Sequence, residues 1–99
     1  MNIFYLDRDP AKCAMMHCDK HVVKMILEYA QLLSTAHHLV DGEPSIDCYK
    51  PTHKNHPSAV WVRQSRSNYQ WLYQLLDALL VEYTFRYGNF IVGCFNAIC

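Results

Sequence analysis

The sequence predicts a mainly α fold: two long antiparallel helices, two short ones, and a small two-stranded element from the N- and C-terminal segments. Two observations carry this. Apolar residues recur every three or four positions over two long stretches, which is the period of a helix with one buried face. Aspartate or histidine followed by proline opens a helix twice, and a glycine closes the last one.

Asn2 to Leu6, "NIFYL", is a short apolar run that reads as a buried strand. Asp9 then caps a short helix that begins at Pro10 and reaches about Cys18. Asp19 is a second cap, or a kink in one continuous helix. From Lys20 the residues Val22, Ile26, Tyr29, Leu33 and Ala36 form one stripe, flanked by Val23, Leu27 and Ala30, and the helix ends near His38 to Val40.

Residues 41–56 are polar and long for a connection, which marks a functional or mobile loop. Asn55 or His56 opens a third helix, Pro57 to about Gln64. Ser65 or Ser67 caps a fourth, which runs to Tyr87 with Leu72, Leu76, Leu79, Leu80 and Tyr83 on its buried stripe. Gly88 stops it. Residues 1–99 read as a single helical domain with an atypical tail over 88–99, whose apolar stretch "NFIVGCFNAIC" (89–99) either pairs with "NIFYL" or forms an adhesive end.

Composition narrows the function. Hydrophobic residues are 52% and charged residues 18%, so the chain is no disordered segment. Net charge is zero, which disfavours a dedicated non-specific DNA binder. The charge is uneven, however: Cys48 to Leu76 has no acid but contains Lys50, Lys54, Arg63 and Arg66 with His53 and His56. Five cysteines without a Cys-x-x-Cys pair, and no leader at the start, predict reduced thiols in a cytoplasmic protein. No apolar run approaches the roughly 20 residues of a membrane span.

Three constellations could carry chemistry. His17 and His21, four apart, share a face if the helix is continuous, with Cys13 one turn earlier. This is a candidate divalent-metal site, completed by His53 or His56, and its alternative is the wet face of a core helix. Lys20, Lys24 and Glu28 with His21 make an anion site in which Glu28 is a general base and His21 its catalytic neighbour, or else a solvated stripe with a Lys24–Glu28 ion pair. The third runs from Tyr49 to Trp71, where His53, Lys54, His56, Arg63, Arg66 and Asn68 alternate with Tyr49, Trp61, Tyr69 and Trp71. Basic groups among aromatics suit phosphates and stacked bases. "STAHH", Ser34 to His38, lacks a placed carboxylate and is not read as a hydrolase site.

"MNIFYLDRDP", "HCDKHVVKMILEYAQLLSTAHH" and "KPTHKNHPSAVWVRQSRSNYQWL" together resemble a family of small uncharacterised proteins of marine bacteriophages, especially those of cyanobacteria, over residues 1 to about 88. The family members continue beyond this point, so the resemblance implies a truncated or frame-shifted chain. "NHP" before a long helix, and the helix bearing Glu28, are also similar to the phage pyrimidine-dimer DNA glycosylases. These are small, mostly helical enzymes that use an N-terminal amine with a nearby glutamate. That likeness implies Glu28 as the glutamate. The chain departs from the pattern at its start, where the bulk of Asn2 predicts a retained Met1 and the apolar "NIFYL" predicts a hidden terminus.

The leading expectation is a phage-type protein of the host cytoplasm that binds nucleic acid or nucleotide, with a base-excision-like role. The alternatives are a histidine-rich metal-binding module and a structural homo-oligomer.

Overall fold

The computed structural model describes residues 2–40 and 53–88. Four helices follow in order: α1 (Pro10–Met15), α2 (Asp19–Val40), α3 (Pro57–Gln64) and α4 (Arg66–Tyr87).

Local chemistry sets most helix ends. The Asp9 carboxylate accepts the Ala11 N–H at 3.0 Å, with Pro10 in the first turn of α1. His56, the second of the two residues expected to open α3, caps it by accepting the Ser58 N–H on Nδ1 at 3.1 Å. Ser65 rather than Ser67 caps α4, accepting the Asn68 N–H at 3.0 Å. Gly88 closes α4 with φ +74°, and its N–H donates to the Thr84 carbonyl at 2.8 Å. That backbone conformation costs glycine nothing.

The long helices are antiparallel. Arg86, near the end of α4, reaches Asp19 at the start of α2, while His37 near the end of α2 bonds Tyr69 near the start of α4. Between them lies the core. Val22, Met25, Ile26, Tyr29, Leu32, Leu33 and Ala36 of α2 meet Leu72, Leu75, Leu76, Leu79 and Leu80 of α4, and Val62 and Ala59 of α3 close one side. Each fully buried leucine or isoleucine contributes about 1.5–3 kcal/mol relative to exposure. The expected stripes are buried apart from Tyr83, which is half-buried; Val23 and Leu27 are exposed, as is the Val81 and Phe85 pair on α4.

Two expectations need correction. The first concerns "NIFYL", which forms no strand among the described residues. Its backbone bonds to side chains instead: the Phe4 N–H donates to the Tyr29 hydroxyl at 3.1 Å, the Leu6 N–H to Cys13 Sγ at 3.4 Å. Alternation is nevertheless kept. Phe4 faces the start of α2, whereas Tyr5 stacks on Trp71 of α4. The tail proposed as its partner lies outside the described residues, as does 41–52 of the polar loop.

The second concerns α1, which stops at Met15 rather than near Cys18, so His17 lies between two helices. Arg86 holds this break. Its guanidinium donates to the carbonyls of Met15 (3.0 Å) and His17 (2.8 Å), which the chain leaves open there, and to the carboxylates of Asp19 (3.0 Å) and Glu82 (2.9 Å).

Candidate functional site

The break between α1 and α2 builds a closed hydrogen-bonded ring. His17 Nδ1 lies 2.7 Å from the Cys13 carbonyl, and its Nε2 lies 2.8 Å from the Tyr29 hydroxyl. A carbonyl only accepts, so Nδ1 carries the hydrogen and Nε2 accepts from Tyr29. The Tyr29 oxygen in turn accepts the Phe4 N–H, and the Cys13 thiol donates to the Phe4 carbonyl at 3.0 Å. Burial holds the His17 imidazole below its ordinary value, against the opposing pull of the Cys13 carbonyl, and burial pushes the Tyr29 phenol up. Both therefore stay neutral.

This arrangement overturns the geometry behind the metal reading. His17 and His21 do not share one helix face, both His17 nitrogens are engaged by the protein, and the Cys13 thiol is buried against Phe4. Among the described residues no three histidine, cysteine or carboxylate side chains gather as a metal site would require.

The N-terminal segment divides the two histidine pairs. On one side Phe4 stacks on His21 with ring centres 4.5 Å apart and meets His17 edge-on. On the other, Ile3 and Tyr5 join Pro57, Ser58 and Trp61 around a cavity of about 540 Å³ at the start of α3. Trp71 fixes this wall: its indole N–H donates to the Arg8 carbonyl at 2.8 Å, its ring stacks on Tyr5, and Trp61 meets it edge-on. His53 and Lys54 are exposed in the turn that leads into α3, with His53 at φ +50°. His56 is committed to its cap.

On α2, Lys20 and Lys24 are exposed and Glu28 is half-buried. Seven residues separate His21 and Glu28, which puts them two turns apart on nearly one face. Glu28 is next in sequence to Tyr29, where Phe4 is anchored. The remaining predicted residues sit elsewhere. Asn68 Nδ2 donates to the Trp61 carbonyl at 2.8 Å, so Asn68 ties α4 to α3. Arg63 and Arg66 line a second cavity at the other end of α3. "STAHH" is likewise no hydrolase site, since Ser34 is fully buried.

Sequence reasoning gave no site role to Tyr29 or Arg86. Tyr29 carried a signal, because a tyrosine on a core stripe must find a partner for its hydroxyl. Arg86 carried none, because its partners lie up to 71 residues away.

Residues 1–94 match the family model described as pyrimidine dimer DNA glycosylase. Comparisons with curated proteins and with solved structures find no match.

Proposed function

Because the chain belongs to the pyrimidine dimer DNA glycosylase family, we propose that it binds DNA and removes damaged bases at a site built around its N-terminal segment. The observation that carries this reading is the lodging of Ile3 to Leu6 between α2 and the start of α3, beside an aromatic-walled cavity. An enzyme acting on a base must take it out of the stack, and Tyr5 and Trp61 offer rings on which an extruded base stacks.

In this reading Glu28 is the general acid–base group and His21, held by Phe4, assists it. Lys20 and Lys24 on α2, and His53 and Lys54 before α3, contact phosphates. His56 acts by presenting the α3 N-terminus, and Asn68 by holding Trp61 in place.

A labelled duplex with one cyclobutane pyrimidine dimer, compared with an undamaged duplex at low salt, tests the proposal. Strand scission after alkaline treatment should occur only with the lesion. Glu28→Gln should slow it by on the order of 100-fold with little change in binding, and Lys54→Ala should weaken binding to both duplexes. Absence of binding, or of lesion-dependent scission, overturns the proposal.

A further inference from the structure

Arg63 and Arg66, two of the basic residues of the acid-free span, lie at the C-terminal end of α3 and the start of α4, away from Pro57 and Ser58 of the first cavity. A second cavity of about 280 Å³ lies there, walled by Ala36, His37 and Tyr69 and by Arg63, Ser65 and Arg66. No carboxylate lines it. Neither arginine is paired with a carboxylate among the described residues, and Arg63 Nη1 is buried without an acceptor. A buried charged donor left without an acceptor is costly, and a native structure gives a reason for it.

We propose that this cavity is a phosphate site, holding a phosphate monoester or diester group between Arg63 and Arg66. Two arginines in one lining favour a multiply charged tetrahedral anion, because a guanidinium offers a fork of N–H donors to its oxygens, and the buried Arg63 Nη1 reaches it by a change of side-chain rotamer. The first turn of α4, capped by Ser65, adds its dipole from the same side. His37 is held against the wall by the Tyr69 hydroxyl. The phosphate comes from a DNA backbone or from a free nucleotide. The site does not depend on base-removing chemistry.

Proton–nitrogen NMR of the Arg63 and Arg66 side chains, during titration with inorganic phosphate, thymidine monophosphate and a short duplex, tests this. Phosphate and nucleotide should shift both arginine signals, and Arg63→Gln and Arg66→Gln should each weaken binding about tenfold or more. Arg66 is exposed, so its variant leaves the fold intact. If the source is DNA, the duplex competes with phosphate and Arg66→Gln lowers the salt slope of DNA binding by about one. If it is a nucleotide, the duplex does not compete. Arginine signals that ignore phosphate, or that chloride shifts equally, overturn the site. Phosphate binding in a protein inert toward lesions would refute the proposed function alone. Lesion scission with silent arginines would refute the phosphate site alone.

Discussion

Replacing Tyr29 with phenylalanine removes one oxygen from the centre of the ring. That oxygen accepts the Phe4 N–H at 3.1 Å and supplies the hydrogen that His17 Nε2 accepts at 2.8 Å. Each lost bond is worth about 0.5–1.5 kcal/mol net, and leaving a buried acceptor without a donor adds about 1–3 kcal/mol. His17 is only 2% exposed, so water does not replace the donor. The expected cost is about 2–4 kcal/mol, a large part of the roughly 5–15 kcal/mol available to a chain of this size. Urea unfolding followed by circular dichroism reads it as a lower midpoint with an unchanged slope. Amide exchange at Phe4 should accelerate in the same variant. A cycle with His17→Leu should be non-additive by about 0.5–3 kcal/mol, because the two side chains share one bond. A loss under about 0.5 kcal/mol with additive effects would show that the ring does not hold the segment.

Three further outcomes follow from the same structure. The His17 pKa is lowered in the folded state from its ordinary 6.5, so the unfolded chain binds the proton first as pH falls. Stability should drop below about pH 6.5 and level off once the folded protein is also protonated, and His17→Leu should flatten that part of the pH profile. Arg86→Ala should cost about 2–4 kcal/mol by thermal melting, since it opens the carbonyls of Met15 and His17, and Arg86→Lys should recover less than half because an ammonium lacks the fork. Gly88→Ala should cost only about 1–2 kcal/mol, because nothing lies within 4 Å of an added Cβ and backbone strain is the whole effect; a much larger loss in the melt would contradict this.

Where local chemistry decides, the sequence was readable. Asp9–Pro10, His56–Pro57 and Gly88 mark their helix ends within a few residues of themselves, and the apolar stripes of α2 and α4 follow from period alone. A break before Asp19 was one of two alternatives the sequence offered; that it takes up Met16 to Cys18 was not readable, because what stabilises it is distant: Tyr29 from one side and Arg86 from the other. The spacing of His17 and His21 therefore suggested a shared face that does not exist. Alternation in "NIFYL" was real, yet its hydrogen bonds went to Tyr29 and Cys13 instead of a neighbouring strand. The candidate site was legible as a set of residues but not as a layout. Sequence grouped His53 with Arg63, whereas the structure puts Lys54 and His56 near one end of α3 and Arg63 near the other.

The fastening of the N-terminal segment sets an order of events. The segment is made before its anchors, Tyr29 and Trp71, which lie 25 residues beyond Phe4 and 63 beyond Arg8. Closing loops of that length costs entropy that only an already packed helix pair recovers. The first cavity thus comes into being last, once α4 has been synthesised and seated.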